Sequence, residues 1–290
     1  MLAWIAYATV AIVWGSTYYA IALGIESFTP YGMVAGRYLT AGLLALGLSR
    51  LLKEPFPEWS DIKPLMLQGA LLLAVSNALV TWAEADVASG VTAVLCATAP
   101  LAYGILGREK LGLQGWGGQL LGMAGVVLLV NPFGAAFDLK GVAAILLAVV
   151  VWTWGTLHGR NRVKGRGVMG QVAVQMLTGG LLGLVAAPFT GGFTHHPVTL
   201  RALLAVGYLM LFGSLVAYTA FIYLARVWSP AKMGTYAYLN PVVAVLLGLL
   251  RDEPFTPRMA LGMAVILAAV ALVQFKPRAA ETPPERLQEA

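Results

Sequence analysis

Long apolar runs alternate with short polar interruptions along the whole chain, and the runs have the length of bilayer crossings. A membrane's hydrocarbon core is about 30 Å thick and takes about 20 residues of helix to span. Runs of that size predict helices over residues 2–23, 31–52, 64–84, 87–107, 112–131, 141–159, 168–189, 200–225, 229–250 and 257–275. The remaining end, with Pro277, Pro283 and Pro284 among charges, predicts a solvated tail. The first run begins at Leu2 with no basic residue ahead of it and carries Trp14, Tyr18 and Tyr19 late, which fits a retained helix better than a cleaved leader.

The pattern then repeats. Trp14-Gly15-Ser16 is answered by Trp154-Gly155-Thr156, the stretch from Leu39 to Leu44 by that from Leu177 to Leu182, and Leu121-Gly122-Met123-Ala124 by Leu261-Gly262-Met263-Ala264. A repeat this long in so apolar a chain points to the duplicated halves of a carrier. The expected division is a first five-helix unit at 1–133, a second at 134–276 and a flexible cytoplasmic tail at 277–290. Because each unit has an odd number of spans, the second enters the membrane from the opposite face. The expected fold is therefore all-α, ten transmembrane helices in two inverted repeats, with a site near the midplane.

Composition narrows the class. Hydrophobic residues make up 59% of the chain and charged residues 11%, against about 25% charged in soluble domains. With the amino terminus inside, 14 of the 19 Lys and Arg fall in inner loops and tail and 4 in outer loops, Arg37 being the other. The positive-inside rule thus predicts that both termini are cytoplasmic. The formal charge of +6 follows from topology, and the basic run Arg160 to Arg166 predicts no nucleic-acid partner. The single cysteine, Cys96, sits in an apolar run and is expected to pack.

Ten predicted spans, two five-helix units, Trp-Gly-Ser/Thr early in each, and Pro100 or Asn240-Pro241 in a helix before an acidic loop together resemble the EamA repeat of the drug/metabolite transporter superfamily. The likeness covers about residues 1–275. Within it, the bacterial YddG-type aromatic amino-acid exporters look most similar. The resemblance implies an inner-membrane exporter of small metabolites working by alternating access. Drugs, sugars or other metabolites are the alternative cargo. An integral membrane enzyme would need paired acid, base or nucleophile groups, and no intramembrane carboxylate accompanies His158.

A charge at bilayer depth costs at least about 2.5 kcal/mol and so must face protein or water. Arg37 alone qualifies, and its repeat counterpart is the neutral Gln175. Arg37 either meets a substrate carboxylate or is a fixed partner of backbone carbonyls, Glu26 or Glu84. All acidic residues fall at span ends, in loops or in the tail, which predicts facilitated diffusion. One arginine is too few for phosphate-bearing cargo, so a neutral or zwitterionic metabolite, such as an amino acid, is expected. Cavity lining is expected from Trp14, Tyr18, Arg37, Asn77, Trp82, Trp154, His158, Gln175, Tyr218, Tyr238 and Asn240.

Pro100 and Pro241 are expected to break helices near mid-depth, Pro241 freeing the carbonyl of Ala237. Each aromatic has a plainer alternative as core packing, and Trp4, Tyr31, Trp116 and Trp228 are expected as interface anchors. Glycine runs such as Gly115, Gly118, Gly122 and Gly125 predict close helix seams. No cofactor or metal is expected, His195-His196 offering only two ligands in an outer loop. The partners are a small-molecule substrate and the bilayer, with the monomer as the working unit.

Overall fold

The computed structural model describes residues 1–87, 89–131, 138–165, 167–249 and 256–275. The expected tail at 277–290, Arg166 and the acidic pair Asp252-Glu253 lie outside the described residues. Those described form helices and one isolated bridge, Phe28 to Thr194, with no strand. In chain order the helices are α1 (Leu2–Gly24), α2 (Pro30–Leu51), α3 (Trp59–Ala83), α4 (Ser89–Cys96), α5 (Ala99–Leu106), α6 (Gly112–Val130), α7 (Leu139–Arg162), α8 (Val168–Ala186), α9 (Leu200–Val227), α10 (Pro230–Gly234), α11 (Tyr236–Leu249) and α12 (Pro257–Gln274). Eight of these are long and apolar enough to cross a bilayer: α1, α2, α3, α6, α7, α8, α9 and α12.

Two predicted ends move outward. α3 starts at Trp59, not at 64, with Pro64 inside it. The carboxylate of Asp61 accepts from the amides of Lys164 (3.0 Å) and Gly165 (2.8 Å), which pins the added turn against the chain after α7. α7 runs three residues past the predicted 159, and Asp138 caps its start by accepting from the Gly141 amide at 2.8 Å. Two predicted helices are interrupted. Residues 97 and 98 separate α4 from α5, and Thr235 separates α10 from α11. In both cases the break precedes the proline: Pro100 opens the first turn of α5, where its missing N–H leaves nothing unpaired, whereas Pro241 lies within α11.

Small residues set the packing. α2 lies along α8, and α6 along α12. A Cβ added at Gly180 would come within 2.5 Å of the Leu39 backbone nitrogen, and one at Gly262 within 2.7 Å of that of Leu129. Backbones this close require glycine. α1 packs on α9 and α11, while α7 packs on α3. Both α3 and α9 contain a π-helical stretch, Ala70–Ser76 in one and Leu209–Ala217 in the other.

At one end of the bundle the turn between α1 and α2 is clasped by the connection between α8 and α9. The Thr29 amide donates to the Phe193 carbonyl (3.1 Å), the Thr29 hydroxyl to that of Gly192 (2.7 Å) and the Ser27 hydroxyl to that of Pro197 (3.0 Å). Gly32 has no room for a side chain there, since a Cβ would fall 2.0 Å from the Phe193 carbonyl oxygen. His195 and His196 are exposed on this strap, and a His195 ring nitrogen lies 2.7 Å from the Ile25 carbonyl oxygen.

Candidate functional site

A cavity of about 130 Å3 lies between α1, α2, α3, α7, α9 and α11, with Cys96 and Ala99 at its edge from the α4–α5 break. One water needs about 10–15 Å3 on this measure, so the space suits a small metabolite. Helical phase decides which side chains reach it. Trp14, Tyr18 and Ile21 form one stripe of α1, Trp152 continues Ala148 on α7, and Tyr236 and Asn240 share a face of α11.

The aromatic part of the wall is a connected cluster. Trp14 lies 5.4 Å from Trp152 and 5.1 Å from both Phe221 and Tyr236, ring centre to ring centre. The Trp14 indole N–H donates to the Gly213 carbonyl at 3.0 Å, which fixes its ring. The Trp152 indole N–H faces the hydroxyls of Tyr103 and Tyr236, whereas the Tyr218 hydroxyl is buried without a hydrogen-bond partner.

The polar part is organised by the two π stretches. Ser214, in the π stretch of α9, donates its hydroxyl to the Leu209 carbonyl (3.0 Å) and accepts from Arg37 Nε (2.5 Å). Asn77, just after the π stretch of α3, donates from its amide to the Leu72 carbonyl at 3.0 Å. Each polar side chain thus bonds to the carbonyl five residues back, where π geometry departs from the α ladder. With its amide nitrogen turned toward them, Asn240 donates to the carbonyls of Tyr236 (3.1 Å) and Ala11 (3.2 Å). The Tyr18 hydroxyl faces the Cys96 thiol and the Asn240 amide.

Of the sequence-predicted lining residues, Trp14, Tyr18, Arg37, Asn77, Tyr218 and Asn240 come together around the cavity. The other five lie elsewhere. Tyr238, buried between α11 and α6, donates its hydroxyl to the Gln119 carbonyl (2.8 Å) and leaves no room for a side chain at Gly122. It lies two residues from both Tyr236 and Asn240, hence about 200° round the helix from each. The same phase turns Trp154, two residues past Trp152, to the outside at 48% exposed, where it packs on His158. Trp82 also faces outward, at 45% exposed. Gln175 is buried between α8 and α3, where its amide donates to Gln68 Oε1 at 2.6 Å.

Pro100 stands behind the wall, against Gly234, while Pro241 removes the amide that would bond to the carbonyl of the cavity-lining Ala237. Sequence reasoning left out of the lining set Thr17, Tyr38, Ser76, Trp152, Ser214 and Tyr236, as well as Cys96, which lines the cavity as a free thiol. The hydrophobic phase that places Trp152 beside Ala148 was the signal available for it.

Arg37 is buried, 7% exposed. Its contacts are Ser214 and the face of Tyr38, 4.8 Å from the ring centre; among the described residues no carboxylate pairs with it, neither Glu26 nor Glu84. Glu84 follows the last residue of α3, yet both its oxygens are buried without a partner. A position at a span end is thus not the same as a solvated one: the Glu84 oxygens and Asp61, 2% exposed, are both buried.

A two-part wall of this kind, open to a small solute and built from segments spread over the whole chain, suits a carrier. The profile of the EamA-like transporter family matches residues 1–131 and 139–275. The chain belongs to that family. The uncharacterized inner membrane transporter YedA of Escherichia coli K12 is 39% identical over 267 residues, covering 90% of this chain and 87% of the relative. Protein PecM of Dickeya dadantii is 27% identical over 90% of this chain and 89% of its own length. A crystal structure 19% identical in sequence shares the fold, with a TM-score of 0.76 over 93% of this chain and 95% of that one. This EamA-like transporter is thus a multi-pass helical membrane protein.

Proposed function

We propose that the protein is an inner-membrane carrier that exports small neutral or zwitterionic metabolites, amino acids including aromatic ones among them, as the resemblance to YddG-type exporters implies. It crosses the membrane ten times, α4–α5 and α10–α11 forming the two broken spans, with both termini cytoplasmic. The two five-helix halves are inverted and rock about the central cavity. Reciprocal packing supports this: α1 meets α9 as α7 meets α3, and each half contributes one π stretch. The observation that carries the reading is the cavity itself, where polar groups at depth are held within an aromatic wall drawn from both halves.

Efflux of labelled tryptophan, threonine and other metabolites from proteoliposomes tests it. Wild type is expected to release at least one amino acid faster than empty vesicles, with Trp14→Ala and Asn240→Ala well below wild type at equal folded protein. Equal flux from wild-type and empty vesicles for every amino acid would overturn the cargo assignment.

Energy coupling follows from the acids. No carboxylate lines the cavity among the described residues, which supports facilitated diffusion. The buried Glu84 carboxylate, one turn beyond the lining residue Val80, favours a second reading in which a proton enters the cycle there. An inward acid pulse at clamped voltage separates them: facilitated diffusion leaves flux unchanged, whereas coupling accelerates it in wild type and leaves Glu84→Gln unresponsive.

A further inference from the structure

We propose that the group this carrier recognises is a carboxylate, bound at Arg37, and that an α-ammonium group is not required. The inference rests on the transport reading and extends its cargo from zwitterions to anions: the substrate class is monocarboxylates with an apolar or aromatic body, amino acids being one kind.

Three observations converge. Arg37 is a buried residue whose Nε is committed to Ser214 while its two terminal nitrogens make no hydrogen bond among the described residues. Taking a charge out of water without a partner is costly, and the residue lines the cavity. The Ser214 hydroxyl is already spent on the Leu209 carbonyl, so its lone pair holds the guanidinium in place and leaves the far edge of that group directed to the cavity. Gly213 keeps this edge accessible, since a Cβ there would sit 3.1 Å from Nη2. A planar guanidinium edge matches a carboxylate with two parallel hydrogen bonds.

The second observation is that the hydroxyl of the lining residue Tyr218 is buried without a hydrogen-bond partner. It needs an acceptor. The third is the absence of Asp or Glu among the described lining residues. An ammonium group finds no counter-charge there, and an amine without a carboxylate places a second cation near an uncompensated one, where low dielectric strengthens the repulsion.

Counterflow into wild-type proteoliposomes with tryptophan, indole-3-propionate and tryptamine tests this. They share a ring and differ in which charged group they carry. Tryptophan and indole-3-propionate are expected to exchange, with tryptamine slower on the order of ten-fold or more, the loss expected for a hydrogen-bonded charged contact. Tryptamine moving as fast as tryptophan, or moving alone, would overturn the carboxylate inference and leave the transport reading standing. Tryptophan moving with indole-3-propionate excluded would overturn the claim that the ammonium is dispensable, again without touching transport. No movement of any of the three overturns the inference and removes tryptophan from the cargo, while the wider amino-acid panel still decides the transport reading. In variants, Arg37→Gln is expected to abolish the preference for the acid over the amine while Arg37→Lys retains part of it. Should Arg37→Gln not fold, the wild-type series still decides, as does melting of wild type in detergent, which indole-3-propionate should raise and tryptamine should not.

Discussion

Tyr236, Tyr238 and Asn240 show how a step of two residues separates a pocket wall from a packing wedge. Tyr238 closes the α6–α11 seam through its hydroxyl bond to Gln119. Tyr238→Phe is therefore expected to lower stability by about 1 kcal/mol while flux per folded molecule stays at the wild-type level. Tyr238→Ala leaves a cavity costing about 3–5 kcal/mol, so its lost flux would track lost folded protein. Thermal melting beside flux normalised to folded protein checks both. The stripe of Trp14 and Tyr18 was legible because α1 is continuous and its aromatics fall at helical spacing. The orientation of α11 was not, because its phase depends on the break at Thr235, which no proline marks directly. Arg37 was legible as a charge at depth. Its tie to Ser214 was not, because it spans 177 residues of sequence.

The eight long apolar helices were largely visible, since the apolar runs fix their rough limits. The interruptions were only partly so: Pro100 and Pro241 mark the right segments, but the π stretches leave no mark in hydropathy. The glycine seams follow the expectation of close approach in different degrees. Gly180 meets backbone, whereas Gly36 on α2 has nothing within 4 Å. Gly180→Ala is expected to force α2 from α8 and cost about 1–3 kcal/mol, and Gly36→Ala to gain about 0.5–1 kcal/mol from helix propensity. Denaturation in detergent measures the pair, and equal effects would mean that the α2–α8 seam tolerates separation.

The restart of the Trp-Gly pattern is the mark of the proposed duplicated plan, and the family match covers residues 1–131 and 139–275. What no repeat could reveal is where six helices leave space between them. Cys96, the chain's single cysteine, reports on that space because it lines the cavity and is free. A small membrane-permeant maleimide is expected to label it, and saturating transported substrate to slow the labelling several-fold. Labelling that ignores every transported substrate would place the solute path away from Cys96. The proposed topology is tested by single cysteines added near Arg160 in a Cys96→Ala background, which impermeant reagent outside the cell should not reach.

The strap from Gly192 to Pro197 grips the α1–α2 turn through several hydrogen bonds and a glycine with no spare room. Under the proposed rocking motion, segments yoked so firmly travel together at that end, and cutting the Thr29 or Ser27 ties would let them part.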